Sequence, residues 1–332
     1  MTVEKKMLIL GSNSFAGHSL VNAALYKNYE ILGISRSSEI APVMASYRDH
    51  PNLGRFQFRQ IDLNKEWQEL CQLISEFKPE IIVDLAGQGM VAPSWVNPEQ
   101  WYQTNVVAKS KLHRFLTDQS FLEIYVRIST PEVYGSTEHL IDEAAAYNPT
   151  TPYAISHAAI DMNALAYHNQ FGFPVMIGRF ANFYGPGQQL YRIIPRAIIA
   201  GLGHDKLILD GGGKSIRAFI YGADTAEGIL AMIERGQPGE VFHFSPDDFI
   251  SIKDLVEKIA SLLNVRSNTF SSDGPERPGK DAAYFMNADK AKTKLGWSTS
   301  TSLEEGLNKT VDWVRDNIKE ILELPQHYIH QP

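Results

Sequence analysis

The sequence predicts a doubly wound α/β fold, in which a parallel, Rossmann-like sheet carries helices on both faces and a smaller C-terminal lobe follows. Short apolar runs alternate with segments whose apolar residues recur every three or four positions. A glycine-bearing turn, Gly11 to Gly17, follows the first apolar run and precedes the first helical pattern. Residues 6–34 thus have the length of one βαβ unit, which takes roughly 30 residues.

The remaining elements repeat this alternation. The predicted strands are Lys6–Leu10, Glu30–Ile34, Phe56–Ile61, Ile81–Leu85, Glu123–Ile128 and Pro174–Arg179. After a first helix that contains Leu20 and Leu25, the predicted helices are Trp67–Phe77, Pro98–Leu116 and Tyr153–Phe171. Beyond Asn182 the segments are shorter and richer in glycine and proline. We therefore predict a dinucleotide-binding domain over residues 1–180, with short returning segments near 215–245, and a second lobe formed mostly by residues 181–332.

Composition excludes several classes of protein. The chain has 332 residues, of which 44% are hydrophobic and 21% charged, so a predominantly disordered state is excluded. The net charge of −7 argues against a nucleic-acid binder that relies on a basic face. The lone Cys71 excludes a disulfide framework, and the ten histidines show no metal-ligand spacing, so we predict no metal site. No stretch approaches the roughly 20 apolar residues of a membrane span, which predicts a cytoplasmic protein without membrane contact.

The turn after the first strand has the features of a phosphate-binding site. Gly11, Ser14 and Gly17 are spaced three apart, and Phe15 follows Ser14. A dinucleotide site needs small residues here, because the backbone must turn tightly and present helix N-terminal amides to the pyrophosphate. Serine takes the place where many such loops have glycine, and it disfavours positive φ. An ordinary glycine-containing turn is the alternative, but the position inside a βαβ unit favours the dinucleotide.

The end of the second strand indicates which dinucleotide binds. An acidic residue there binds the ribose 2′-hydroxyl of NAD, whereas a basic residue suits the 2′-phosphate of NADP. The sequence has Arg36 between serines and no acid before Glu39. We therefore predict NADP, with NAD as the alternative and Arg36 as a solvated surface charge in that case. At the end of the third strand, Asp62 either contacts adenine or caps the following turn, and Leu63 follows it.

The motifs taken together resemble a known family. In chain order they read GSNSFAG, DLAGQG, STPEVYG, PYAISH, RFANFYGPG and RPGKD. This set is similar to the extended short-chain dehydrogenase/reductases that modify nucleotide sugars, over residues 7–313. The most similar members are the 4,6-dehydratases that act on GDP-mannose or dTDP-glucose. The resemblance implies a nucleotide-diphosphate hexose as substrate, a second lobe that binds it, and a cofactor-lining segment at Leu85, Ala86 and Gly87.

The resemblance also implies catalytic roles. Tyr153 matches the tyrosine that takes the proton of a sugar hydroxyl while carbon 4 gives a hydride to the nicotinamide. Thr130 matches the hydroxyl that shares a hydrogen bond with the oxygen being oxidised. Glu132 matches the base that removes the carbon-5 proton, which the ketone at carbon 4 acidifies. Pro131 occupies a position that is often Asp or Ser in the dehydratases, where that residue can help to protonate the leaving 6-hydroxyl, and proline can donate nothing.

One residue departs from the family pattern. A phenol with a pKa near 10 needs a nearby cation to act as a base at neutral pH. The family supplies a lysine one helical turn after the tyrosine, where it also holds the nicotinamide ribose. This chain has His157 there. We expect reduced turnover, an acidic pH preference or a changed role for the histidine; packing without chemistry is the alternative.

The substrate side is assigned by the same resemblance. Arg217 and Arg277 match the two arginines that bind the diphosphate, and Asn182 matches an asparagine whose amide also bonds it. Ser94 lies where the family touches the sugar. Helices Pro98–Leu116 and Tyr153–Phe171 match those through which the family usually dimerises, which implies a homodimer.

The resemblance leaves the reaction open among related activities. A 4,6-dehydratase, which is a lyase, is the main prediction. Alternatives are a nucleotide-sugar 4-epimerase, which is an isomerase, and a 4-keto-6-deoxysugar reductase. A further alternative is a non-catalytic cofactor-binding protein, because the lysine is missing.

Overall fold

The computed structural model describes residues 5–276, 279 and 281–331. Its strands are β1 Lys6–Leu10, β2 Glu30–Ser35, β3 Phe56–Gln60, β4 Ile81–Asp84, β5 Ile124–Ser129, β6 Val175–Phe180, β7 Asn182–Tyr184, β8 Leu207–Asp210, β9 Ile216–Tyr221, β10 Val241–Phe244, β11 Phe249–Ser251 and β12 Ser271–Gly274. Its α-helices are α1 Phe15–Tyr26, α2 Trp67–Phe77, α3 Val91–Ser94, α4 Pro98–Trp101, α5 Lys109–Thr117, α6 Pro152–Phe171, α7 Ile193–Gly201, α8 Gly222–Arg235, α9 Ile252–Leu263, α10 Asp289–Leu295, α11 Leu303–Asp316 and α12 Ile318–Leu322.

The main sheet has seven strands in the order β10-β6-β5-β4-β1-β2-β3, and every pairing in it is parallel. The predicted fold class is confirmed, and the limits of the predicted strands differ from the prediction by at most one residue. The chain reverses its direction of strand order between β1 and β4. In open α/β sheets, ligands bind in the crevice outside the carboxyl ends of the strands at such a switch point.

Both faces of the main sheet are buried. In β1, Met7 and Ile9 pack into one apolar cluster and Leu8 and Leu10 into another, and all four side chains are fully buried. A strand covered by helices on both sides must be apolar at consecutive positions, which explains why the strands read as continuous apolar runs.

The helix predicted over Pro98–Leu116 is interrupted in the structure. Between α4 and α5, the segment Tyr102–Ala108 has π-helical hydrogen bonding. A π-helical stretch changes the angular spacing of side chains and is frequent at functional sites. Here Asn105 and Lys109, both polar, are completely buried.

The chain beyond β6 forms smaller sheets. Strands β7, β9 and β11 make a three-stranded sheet, and β8 pairs with β12. A separate apolar cluster fills the space between α7, α9 and α11, with Ile198, Ile259 and Leu307 at its centre. Strand β10 returns to the main sheet beside β6. The division of the chain into domains near residue 180 stays a prediction.

Among the helices of the described residues, none is both long and apolar enough to cross a membrane. Over residues 5–276, 279 and 281–331, no group of three or more histidine, cysteine or acidic side chains is arranged to hold a metal ion.

Candidate active site

The turn between β1 and α1 is built for a close backbone approach. Gly11 has φ +84°, and a Cβ there would lie 2.8 Å from the backbone nitrogen of Ala86. A Cβ on Gly17 would collide with the carbonyl oxygen of Gly11. Both positions therefore require glycine, which keeps the first turn of α1 against the carboxyl ends of β1 and β4.

Ser14 fits this turn without strain. It is the N-cap of α1 with φ −71°, so no positive φ is required of it. Its hydroxyl accepts from the backbone N–H of Gly17 at 3.1 Å and donates to the carbonyl of Gly11 at 2.7 Å. The first turn of α1, where Phe15 is buried, contains no acidic residue, so its N-terminal dipole is not neutralised. These residues fit the pyrophosphate of a dinucleotide.

The end of β2 is tied to this turn. The side-chain amide of Asn13 donates to the hydroxyl of Ser37 at 3.2 Å and to the carbonyl of Ser38 at 2.7 Å. Arg36 is half-buried and donates to the carbonyl of Gln331 at 3.1 Å. The segment that would meet the adenosine ribose is thus basic and rich in hydroxyl groups.

Near the C-terminus, Gln331 bridges the segments that follow β2 and β4, a contact that the sequence did not indicate. The carbonyl of Gln331 also accepts from the side-chain amide of Gln88, at 2.7 Å. The ring of His330 stacks on Trp101, with centroids 5.3 Å apart and planes 2° from parallel. Gln331 thereby connects Arg36, at the end of β2, with Gln88, in the turn after β4.

Two predicted cofactor segments lie at the same edge of the sheet. The Asp62 carboxylate accepts from the backbone N–H of Asn64 at 2.8 Å, so it caps the turn after β3. Contact of Asp62 or the buried Leu63 with adenine stays a prediction. After β4, the backbone N–H of Leu85 donates to the carbonyl of Leu10 and continues the pairing of β4 with β1. A Cβ on Gly87 would lie 2.8 Å from the side-chain oxygen of Asn105.

Helix α6 begins at the centre of the site. The Thr151 hydroxyl accepts from the backbone N–H of Ala154 at 3.1 Å, and Pro152 occupies the first helical position, which suits its fixed φ. Positions 153, 157 and 161 are spaced by four, so Tyr153, His157 and Asp161 share one helix face.

The structure brings Tyr153, Thr130 and Glu132 together. Burial and the Glu132 carboxylate raise the pKa of Tyr153 to about 12, against the opposing effects of a hydrogen bond with Thr130 and the charges of Arg192 and Arg127. Burial and the Glu132 carboxylate also raise the pKa of Tyr284. The Glu132 carboxylate is therefore close enough to both Tyr153 and Tyr284 to act on them through its charge.

The segment after β5 fixes Glu132 through a short 3-10 turn, Pro131–Tyr134. The Thr130 hydroxyl accepts from the backbone N–H of Glu132 at 3.2 Å and caps this turn, and Pro131 takes its first position. Proline suits that position because its missing N–H would have no partner there.

His157 is buried and uncharged. Burial lowers its pKa well below the ordinary value, and the nearby charges of Arg127 and Lys109 lower it further. Its Nδ1 lies 3.0 Å from a guanidinium nitrogen of Arg127, and its ring centroid lies 4.6 Å from that of Tyr153. A lowered pKa disfavours the protonated imidazole on which an acidic pH preference would depend, whereas reduced turnover and a changed role stay predictions.

A buried charge cluster lies under the site, and sequence reasoning missed it. We define it as Asp84, Lys109, Arg127, Asp161 and Arg179, which are at most 1% exposed. The Lys109 ammonium donates to both Asp84 oxygens, at 2.9 and 2.8 Å. Arg127 lies 3.6 Å from both Asp84 and Asp161, and Arg179 lies 3.3 Å from Asp161. Charged residues inside strands that are buried on both faces are the sequence signal that could have revealed it.

The predicted substrate residues differ in what they contact. Arg217 is half-buried and donates to the carbonyls of Ile216 and Asp281, at 2.7 and 2.8 Å, with its guanidinium 4.3 Å from the Tyr284 ring centroid. Asn182 is half-buried at the start of β7. Arg277 lies outside the described residues.

Ser94 has structural bonds. Its hydroxyl donates to the carbonyl of Val91 at 2.6 Å and accepts from the backbone N–H of Tyr153 at 3.2 Å. The serine therefore anchors the start of α6, and its contact with a sugar stays a prediction. Arg192, which sequence reasoning also missed, is exposed at the start of α7, and its charge acts on Tyr153.

Comparison with known proteins agrees with this geometry. A family model described as GDP-mannose 4,6 dehydratase matches residues 8–310. A probable dTDP-glucose 4,6-dehydratase of Sinorhizobium fredii is 29% identical over 94% of this chain and 93% of its own length. The human dTDP-D-glucose 4,6-dehydratase is 29% identical over 94% of this chain and 91% of its own length.

Solved structures with a similar fold include a dehydratase and an epimerase. The dTDP-glucose 4,6-dehydratase DesIV of Streptomyces venezuelae, solved with NAD bound, has a TM-score of 0.85 and 26% identity, covering 95% of this chain and 98% of that one. The UDP-glucuronic acid 4-epimerase of Bacillus cereus, solved with UDP-glucuronic acid and NAD, has a TM-score of 0.83 and 26% identity, covering 94% and 99%.

Proposed function

Because the chain belongs to the GDP-mannose 4,6-dehydratase family, we propose that it converts a nucleotide-diphosphate hexose into its 4-keto-6-deoxy derivative, with a bound nicotinamide dinucleotide. The observation that carries the proposal is the convergence of Tyr153, Thr130 and Glu132 at the carboxyl end of β5 and the start of α6. When bound, the nicotinamide supplies a hydride acceptor for carbon 4 and a hydride donor for carbon 6.

The first role of this chain is proton removal at the sugar 4-hydroxyl. Tyr153 takes that proton, and Thr130, which is hydrogen-bonded to the phenol, orients the hydroxyl. Tyr153 must ionise for this, and a raised pKa opposes it in the free protein. The cationic groups around the site and the positive charge of an oxidised nicotinamide favour the phenolate.

The second role is elimination of water, which Glu132 performs alone. Its carboxylate takes the proton from carbon 5, and the same proton is passed to the 6-hydroxyl as the carbon–oxygen bond breaks. Pro131 cannot donate a proton, so one carboxyl group serves as base and then as acid. The hydride returned to carbon 6 would come from the bound nicotinamide, and Tyr153 would return to carbon 5 the proton that it took from the 4-hydroxyl, so that the net change is the loss of one water.

We propose NADP as the cofactor, although the solved relatives carry NAD. Arg36 and the hydroxyl-rich segment that follows it support this choice, because they suit a 2′-phosphate and no carboxylate competes at the end of β2. Phosphate would compete with the Gln331 carbonyl for the Arg36 guanidinium.

The assembly and the cellular location are further proposals. Val107, Ile155 and Met162 are exposed by 46%, 42% and 60% on the π-helical segment and α6, which pack against each other. An apolar face on these two helices supports a homodimer. Localisation in the cytoplasm stays a prediction.

The experiment is an incubation of the purified protein with NADP or NAD and GDP-, dTDP-, UDP- and CDP-hexoses. We expect a 4-keto-6-deoxy product from one nucleotide, without net consumption of the cofactor. Absence of a keto product across the panel would overturn the proposal.

Epimerisation is the second candidate, and Pro131 favours it, because a 4-epimerase needs no acid beside carbon 6. A product that keeps its 6-hydroxyl and changes configuration at carbon 4 would identify it. Substitution Glu132→Gln separates the two reactions: it should stop a dehydratase after oxidation and leave a 4-epimerase active.

A further inference from the structure

Position 157 lacks the cation that a phenolate base requires, yet cations lie directly beside it. Within the described residues, the buried charge cluster contains three cationic and two anionic side chains. It therefore carries one excess positive charge in a low-dielectric interior, where charges act strongly on their neighbours. That excess favours ionisation of a phenol close by.

Arg127 contacts His157 in a way that fixes the imidazole. A guanidinium has only donors, so the 3.0 Å contact requires His157 Nδ1 to accept. The proton of the neutral ring must then sit on Nε2. The ring itself lies against the Tyr153 ring, at 4.6 Å between centroids. His157 thus presents an N–H donor on the side of the ring that Arg127 does not occupy.

The strand pairing keeps Arg127 in place. In the register of β4 and β5, Arg127 lies opposite Asp84, and in helix α6 Asp161 lies one turn beyond His157. Both carboxylates are 3.6 Å from the guanidinium. Arg127 is therefore held from two sides and cannot turn toward solvent.

We propose that the Arg127–His157 pair divides the work of a single lysine: Arg127 supplies the positive charge that stabilises the Tyr153 phenolate, and His157 Nε2 donates the hydrogen bond to the cofactor ribose. Arg127 is a positioning residue: it acts on Tyr153 through its charge and on His157 through the hydrogen bond that orients the ring. This inference rests on the proposed function, because it takes Tyr153 as the base.

Several ionisable groups, Arg127 among them, face Tyr153 and His157. From the elements packed against Tyr153 and His157, they are Asp84 on β4, Lys109 on α5, Arg127 on β5, Glu132 after β5, Asp161 on α6 and Arg192 at α7. Arg127 is the cation that both contacts the imidazole and lowers the pKa of Tyr153.

The test is a double-mutant cycle with Arg127→Gln and His157→Lys. Arg127→Gln removes the charge, and His157→Lys places a second cation against Arg127, so each should lower kcat by about tenfold or more. The combined variant moves the charge to position 157 and should recover at least about tenfold over His157→Lys alone. Additive losses in the combined variant would overturn the proposal.

A second readout does not depend on turnover. Tyr153→3-fluorotyrosine gives one fluorine signal whose chemical shift follows ionisation of that phenol in the protein with bound NADP. Arg127→Gln should raise the phenol pKa by about one unit, because removing a nearby cation disfavours the phenolate. The His157→Gln variant keeps an N–H donor and should leave the phenol pKa close to that of the parent protein.

Arg179→Gln is the matched control, since Arg179 is an equally buried arginine that binds Asp161 and lies outside contact with His157. It should lower the unfolding temperature as Arg127→Gln does, but shift the Tyr153 titration much less. Equal shifts in the two variants would overturn the proposal. A shift confined to Arg127→Gln in a protein that makes no keto sugar would refute the proposed function alone.

Discussion

Cations have different partners in the buried charge cluster and at the edge of the predicted cofactor and substrate sites, which we call the rim and which contains Arg36 and Arg217. Inside, Lys109 and Arg127 meet carboxylates in nearly complete burial, and each carboxylate has more than one cationic partner. At the rim, Arg36 and Arg217 are half-buried and meet backbone carbonyls. A carbonyl is a weaker partner for a guanidinium than a phosphate is. Interior cations are therefore fixed, whereas rim cations can exchange a carbonyl for a phosphate.

The largest expected effect is on the interior side. Asp84→Asn should lower the free energy of unfolding by about 3–5 kcal/mol, because it leaves Lys109 and Arg127 buried with one anion fewer. Urea unfolding monitored by circular dichroism measures this change.

Asp118→Asn is the control for that variant. Asp118 pairs with Arg114 at 2.7 Å, but the two side chains are 63% and 61% exposed. Exposed pairs contribute about 0–1 kcal/mol, so this variant should unfold almost like the parent protein. Similar losses in the two variants would contradict the expected difference between buried and exposed ion pairs.

The interior also makes stability depend on pH. Burial lowers the pKa of His18 to about 4 from 6.5, and those of His113 and His243 to about 3. Between pH 6.5 and 4 the unfolded chain binds protons that the folded chain excludes, so the free energy of unfolding falls as pH falls. The lowered pKa of His18 corresponds to a change of about 3 kcal/mol in the free energy of unfolding across this pH range.

His18→Gln isolates this contribution. His18 bonds the Ser46 hydroxyl at 3.0 Å and the carbonyl of Gly187 at 3.1 Å, and glutamine retains a donor there. In the variant, the free energy of unfolding should fall less steeply between pH 6.5 and 4. The difference in slope should correspond to about one bound proton. An unchanged slope in urea titrations across this range would contradict a buried neutral His18.

Sequence patterns predicted the parts of the site that depend on local spacing. Gly11 and Gly17 lie within one turn, and Tyr153 opens a helix that its capping residues specify. The cluster around Arg127 was not predicted, because the contact with Asp84 depends on which strands are neighbours and in which register they pair. Its members come from five separate elements, so no spacing along the chain reveals them.

The contacts of the C-terminal segment escaped prediction for a related reason. Gln331 meets Arg36 across a sequence separation of 295 residues, and its partner atom is a backbone carbonyl. A carbonyl is present in every residue and leaves no signature in the sequence. The His330–Trp101 stack is equally non-local.

On the rim, Arg217→Met should raise KM for the nucleotide sugar and leave stability almost unchanged. Loss of a charged hydrogen bond to phosphate costs about 1.5–3 kcal/mol, which corresponds to about a 10- to 100-fold higher KM. Steady-state kinetics with the substrate identified in the panel measures it. A lowered kcat at constant KM would mean that Arg217 acts in the reaction and not in binding.

Arg36→Ala should have the smallest effect, confined to cofactor choice. Arg36 is half-buried at the end of β2, and the ribose 2′-phosphate would replace the Gln331 carbonyl as its partner. Removing the guanidinium should weaken NADP binding by about tenfold, the value of one partly exposed charged hydrogen bond, and leave NAD binding unchanged. Calorimetric titration of both cofactors into the variant and the parent protein measures the dissociation constants of NADP and NAD, and their ratio reports the cofactor preference. If NADP binding and NAD binding weaken equally, Arg36 acts only by holding Gln331 and does not select the cofactor.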